Sequence, residues 1–258
     1  MAERIGRRGI LAGVAASLAA LPLAGCDLFS NSATVHKVLD SANALTLYAQ
    51  RLLLSRHSLA QEFTEADISP YFKANGSTNP GDPTYVSLAQ SRFKDWRLQV
   101  GGLVGNPLSL SLSELRAMPS RTQITRHDCV EGWSCIGKWT GVTLSTVLVK
   151  AGLKPDAKYI VFHCADSLED TLDPRDKYYE SVDLIDAFHP QTILAYDMNG
   201  APLAVPHGAP LRLRAERQLG YKMAKYIMRI EAVASFGQIA GGRGGYWEDR
   251  GYEWYAGI

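Results

Sequence analysis

Short stretches of alternating apolar and polar residues recur along this chain without the long intervening helices that a regular βαβ succession requires. That pattern confines it to an α+β architecture with mixed β-sheets. Trp96-Arg97-Leu98-Gln99-Val100 alternates as a half-buried strand does, and Thr122 to Arg126 repeats the pattern. Tyr159 to Phe162, Leu211-Arg212-Leu213 and Tyr226 to Ile230 read as further strands. Ile193 to Tyr196 turns through Asn199-Gly200 into the extended segment after it. The helices between them are short. Ser111-Leu112-Ser113-Glu114 forms a capping box for one ending near Met118-Pro119, Thr143 caps Leu144 to Lys150 with Gly152 as its stop, and Asp183 caps another before His189-Pro190.

The first residues stand outside this pattern. Arg7-Arg8 precedes an uncharged run of 17 residues from Gly9 to Gly25, closed by Leu23-Ala24-Gly25-Cys26. Paired arginines before a moderately apolar segment point to the twin-arginine route, and Leu-Ala-Gly-Cys resembles a lipobox with Cys26 acylated. The run is short for a membrane span. Residues 1–25 are therefore expected to be a twin-arginine lipoprotein signal peptide. The mature protein would then be lipid-anchored on the periplasmic or extracytoplasmic face of a bacterial membrane. From Thr34 to Leu54, apolar residues at helical spacing (Val35, Val38, Ala42, Leu45, Ala49, Leu52) predict an amphipathic helix, so residues 26–66 read as helix and linker. Residues 67–258 read as a single catalytic domain.

Without Arg4, Arg7, Arg8 and Glu3, 24 basic and 25 acidic residues remain, a balance that excludes a nucleic-acid partner. The 233 residues from Cys26 onward are enough to bury a core without disulfide staples. With Cys26 lipidated, Cys129, Cys135 and Cys164 are left, an odd number for an oxidising compartment. Asp67 to Pro83 is rich in turn signals and suited to wrapping a ligand. Gly237 to Gly245, with five glycines, reads as a mobile or wrapping segment. There is no internal repeat and no glycine-rich phosphate loop.

Cys129 lies in Arg126-His127-Asp128-Cys129-Val130-Glu131-Gly132-Trp133-Ser134, among charged and aromatic groups where inert structural cysteines are rare; a basic neighbourhood favours the reactive thiolate. This segment resembles the molybdopterin-dependent oxidoreductases of the sulfite oxidase family, and within it the branch of exported methionine-sulfoxide reductase catalytic subunits. Phe72-Lys73-Ala74-Asn75, Phe162-His163-Cys164-Ala165-Asp166, Leu194 to Gly200, His207-Gly208-Ala209-Pro210-Leu211-Arg212, Gly220 to Lys225 and Gly245 to Tyr252 extend the likeness over roughly residues 67 to 255. The resemblance implies the sulfite oxidase-type fold and a molybdenum-molybdopterin cofactor with Cys129 as metal ligand. It places Asn75 and His207 beside the pterin and Cys164 near it, where the family usually carries Ser or Thr. Arg212 and Lys225 suit the phosphate, with amides around Met223 and Ala224. Glu131 is placed beside the metal, where it can move protons as oxygen leaves as water.

Two departures shape the expected activity. Sulfite-oxidising members carry Cys-x-Gly-Asn-Arg-Arg, whereas Val130-Glu131-Gly132-Trp133 follows the cysteine here, which weakens an anion clamp and favours a neutral or bulky substrate. Cys135 offers a disulfide to Cys129, avoidable if the cofactor is loaded in the cytoplasm before export. The expectation is oxygen-atom transfer, first as sulfoxide reduction that includes protein methionine sulfoxide, second as oxidation of sulfite or another small sulfur or nitrogen compound. Cys-x-x-Cys-His is absent, so electrons must pass to or from another protein, expected to be a membrane or soluble cytochrome-type partner. Other readings are a thiol catalyst using His127 or His163 as base, a zinc site from Cys129, Cys135, His163 and Cys164, and a lipoprotein binding module with a decayed cofactor site. A monomer is expected.

Overall fold

The computed structural model describes residues 45–52, 55, 57–169 and 176–258. The leader, Cys26 and most of the expected amphipathic helix lie outside these residues; 45–52 are helical. The chain divides into a unit spanning Met1–Leu53 and a body spanning Leu54–Ile258.

The described strands of the body are β1 (Arg97–Gly102), β2 (Leu108–Ser111), β3 (Ser120–Asp128), β4 (Ser134–Thr143), β5 (Tyr159–Ser167), β6 (Lys177–Asp183), β7 (Ile193–Met198), β8 (Ala201–Pro202), β9 (Arg212–Arg214) and β10 (Ile227–Val233). One sheet has the order β2-β1-β10-β5-β6 and is mixed, because β1 and β10 run parallel while its other pairs are antiparallel. The other has the order β3-β4-β7-β8, with β9 also on β7, and is antiparallel throughout. Strands dominate and helices are short, so the α+β expectation holds.

Local chemistry sets the helix ends. Ser111 and Glu114 form the expected capping box of helix Leu112–Arg116. Thr143 caps helix Leu144–Ala151, which ends where Gly152 takes φ +66°. That helix buries Leu144, Val147, Leu148 and Ala151 in the main core cluster, to which residues of both sheets contribute. Each buried leucine contributes about 1.5–3 kcal/mol. A helix at Pro83–Gln90, not read from the sequence, begins where the turn-rich stretch ends: Asp82 accepts from the Tyr85 amide at 2.9 Å, and Pro83 occupies the first helical position, which needs no N–H. The Tyr159 strand runs on to Ser167, placing Cys164 inside β5 rather than at its end.

The glycine-rich segment wraps. Amides of Gly241 and Arg243 each donate to Asp249 at 2.9 Å, and Ser181 donates to the Gly244 carbonyl. Tyr246 beyond it is buried and stacks on Tyr178 with ring centres 5.5 Å apart. Buried Lys222 joins Glu180 of β6 to Glu248 of this tail.

Candidate functional site

The β3–β4 hairpin carries Cys129. Asp128 and Ser134 are its last register pair. Between them the Cys129 amide donates to Trp133 O at 2.9 Å and the Gly132 amide to Cys129 O at 3.0 Å. Gly132 turns at φ +83°, a conformation that favours glycine. The thiol opens into a cavity of about 280 Å³ also lined by Asn75, Glu131, Met223 and Lys225 among the expected residues.

The other expected residues gather behind this cavity. Arg212 and Lys225 form a backbone bridge, and Arg212 Nη1 donates to His207 O at 3.0 Å. Gly208, at φ +105°, lets them close up, since a Cβ there would lie 2.6 Å from Lys225 Cβ. Leu213 donates to the Ala224 carbonyl at 2.7 Å, and Cys164 is buried. The Met223 amide is already engaged, donating to Gly220 O at 3.1 Å, so it is not the free donor that the sequence suggested.

Arg212 and Lys225 are not on a solvated strand face; both are buried. Among the described residues Arg212 Nε and Nη2 and His207 Nδ1 have no hydrogen-bond partner, and no carboxylate is hydrogen-bonded to Arg212. Its guanidinium lies 4.9 Å from the Trp139 ring centre. Burial, then Arg214, brings Arg212 down to about 9, and burial, then Arg212, brings Lys225 down to about 7. Such a buried cationic pocket with unused donors fits an anionic phosphate tail, as the pterin cofactor requires.

Cys129 corrects one expectation. Burial, and after it the Glu131 charge, push its thiol up rather than toward the thiolate, and Arg126 pairs with Asp128 at 2.8 Å. Glu131 is held low by hydrogen bonds from the Trp133 indole at 2.9 Å and Lys73 at 3.3 Å. Cys129 and Cys135 are both free thiols, Cys135 standing opposite His127 in the hairpin register. His127 Nδ1 faces Arg214 at 3.0 Å and Met223 sulfur at 3.3 Å, while His163 faces Glu231 at 2.9 Å, so neither imidazole is hydrogen-bonded to Cys129. Among the described residues no three His, Cys, Asp or Glu side chains gather to hold a metal ion, which leaves the zinc reading without a site.

Several cavity residues were missed in the sequence. Asp166, two positions after Cys164 on β5 and so on the same face, lines the cavity with Oδ1 unpartnered; burial raises it to about 6. Tyr178, Tyr221, Trp247 and Tyr252 supply an aromatic wall. The signal for the last two was the aromatic tail itself, but only packing shows which rings face inward.

Residues 85–237 match the family model described as an oxidoreductase molybdopterin binding domain. A putative protein-methionine-sulfoxide reductase subunit, YedZ1, of Azospira oryzae is 37% identical over 235 residues, 91% of this chain and 81% of the relative. The protein-methionine-sulfoxide reductase catalytic subunit MsrP of Xanthomonas axonopodis pv. citri is 36% identical over 169 residues, 63% of this chain and 52% of that protein, so this chain matches only half the length of that relative. Among solved structures, sulfane dehydrogenase SoxCD from Paracoccus pantotrophus overlaps with a TM-score of 0.49 at 24% identity, covering 55% of this chain and 39% of that one.

Proposed function

This chain belongs to the oxidoreductase molybdopterin-binding domain family, that of sulfite oxidase, and on that premise we propose that it reduces sulfoxides, protein methionine sulfoxide among them, by oxygen-atom transfer. The observation that carries the reading is the juxtaposition of a cavity-facing thiol with buried Arg212 and Lys225, whose positive charge lacks a hydrogen-bonded carboxylate. Arg212, Lys225 and His207 would hold the cofactor's phosphate and pterin edge, with Asn75, Asp166 and the 223–225 backbone around it. Cys129 would bind molybdenum; a bound cation deprotonates a coordinating thiol outright, which overcomes the raised pKa. The cofactor, when bound, supplies two-electron oxygen exchange.

The chain's residues do the rest. In the balanced reaction the sulfoxide S–O bond breaks, two electrons arrive from a cytochrome-type partner, and two protons leave with the oxygen as water. Glu131, exposed at the cavity and already a hydrogen-bond acceptor, is placed to pass those protons. The aromatic wall excludes water and suits an apolar thioether. No arginine pair follows Cys129 to clamp sulfite, since Val130-Glu131-Gly132-Trp133 stands there, which disfavours sulfite oxidation. Export by the twin-arginine route and lipid anchoring at Cys26 complete the proposal, together with the division at residues 1–25, 26–66 and 67–258.

Elemental analysis of protein made in a cofactor-competent host tests it. Stoichiometric molybdenum with sulfoxide turnover that vanishes in Cys129→Ser is expected. Full turnover in that variant would remove the ligand assignment, and zinc or no metal would remove the reading.

A further inference from the structure

The turn that carries Cys129 gives the cavity entrance a carboxylate and no cation. The cation arrives from 58 positions away: Lys73 Nζ lies 3.3 Å from Glu131 Oε2. It also lies 5.1 Å from the centre of the Trp133 ring, whose indole N–H donates to the same Glu131 oxygen at 2.9 Å. Both charged side chains are about half exposed, 51% and 55%, so the pair adds little to stability. Its effect falls instead on what approaches an opening that Glu131 lines. Among the described residues beside the turn, Arg126 pairs with Asp128 at 2.8 Å, while Asp166 and Lys225 line the same cavity as buried groups. Glu131 lines the cavity and Lys73 is paired with it, both side chains half exposed, so an incoming molecule can meet this pair.

We propose that Lys73 and Glu131 together make this entrance indifferent to substrate charge, admitting anionic and neutral sulfoxides alike, with Lys73 as a specificity-determining residue. The inference rests on the oxygen-transfer reading above. Removing either partner unbalances the entrance in a known direction. Without Lys73 the carboxylate repels an anion; without Glu131 the ammonium attracts one. Because Glu131 also serves proton transfer, the informative quantity is the ratio of kcat/KM for an anionic to a neutral substrate, from which a shared chemical step cancels.

The test measures methylsulfinylacetate against dimethyl sulfoxide, with reduced viologen as electron donor and low ionic strength, in the full-length holoenzyme. Lys73→Met should lower the anion-to-neutral ratio about fivefold, Glu131→Gln should raise it about fivefold, and the double variant should return to the wild-type ratio. Added salt should compress all of these differences. A ratio that stays fixed, or moves the same way in both single variants, overturns the proposal. If the wild type reduces neither compound, the oxygen-transfer reading fails, and Trp133 fluorescence still decides the charge balance. Iodide should quench it more strongly in Glu131→Gln and less in Lys73→Met, with neutral acrylamide unaffected and Trp133→Phe supplying the background; equal iodide quenching in all variants overturns it.

Discussion

Strand β9 carries two arginines two residues apart, both sealed from solvent, whose surroundings differ in one respect. Arg214 meets the Glu216 carboxylate through Nε at 2.9 Å and Nη2 at 2.6 Å, and Glu216 also accepts from Gln123 at 2.8 Å. Arg212 reaches a single backbone carbonyl and leaves two nitrogens unused. The lysines of the next turn repeat the contrast. Burial draws Lys222 down, but Glu180 and Glu248 outweigh it and hold the ammonium above its ordinary value. Lys225 donates to the carbonyls of Ser77 and Pro206 and falls to about 7. A buried charge is therefore no sign of a binding site by itself. A buried charge without its counter-ion is, because the folded protein tolerates it at a cost that a ligand removes.

The comparison breaks first at Glu216. Glu216→Ala leaves Arg214 buried and unpaired and should cost about 3–5 kcal/mol in denaturant unfolding of the cofactor-free protein; a loss under about 1 kcal/mol would erase the distinction between the arginines. Arg212→Met should do the opposite. Unfolding free energy of the cofactor-free protein stays within about 1 kcal/mol of wild type or rises, while molybdenum retained after purification falls by about tenfold or more. Unchanged metal content would contradict the role given to Arg212. The smallest effect is in pH dependence. Lys225 titrates at about 7 in the fold against an ordinary 10.5, so the unfolded chain binds more protons between these values. Stability then rises with pH across that window and is lost as pH falls through 7. Asp166, raised to about 6 from 3.8, stabilises the fold below 3.8 and ceases to do so as pH climbs through 6. Thermal melts of Lys225→Met should lose the upper limb, a change of about 2–4 °C between pH 7 and 8. An intact upper limb would assign it to another group.

Which parts could be read from the sequence follows the same physics. Alternation and capping made β1, β3 and the Thr143-capped helix legible, because each is decided by neighbours in the chain. β6 was not, since Glu180 and Ser181 look like surface residues until Lys222 and the Gly244 carbonyl, both distant in sequence, bury and satisfy them. β4 was hidden by Gly137, Lys138 and Gly141. Gly141 packs against the Leu194 carbonyl too closely for a Cβ, a demand of β7 rather than of its own segment. At the site, the Cys129 turn and the Arg212 to Lys225 region stood out by motif. Asp166 and the pairing of Lys73 with Glu131 depend on loops meeting in space, which no spacing along the chain announces.

The Lys222 bridge also dictates an order of events. Trp247 and Tyr252 form part of the chamber wall, and they are pinned there by Glu248 on Lys222 and by the Ala256 carbonyl on the Leu219 amide. A nascent chain therefore has an open-sided chamber until residues 246–256 have emerged from the ribosome and docked. Whatever lies against those rings can enter through that flank while it is undocked, and afterwards has the opening beside Glu131.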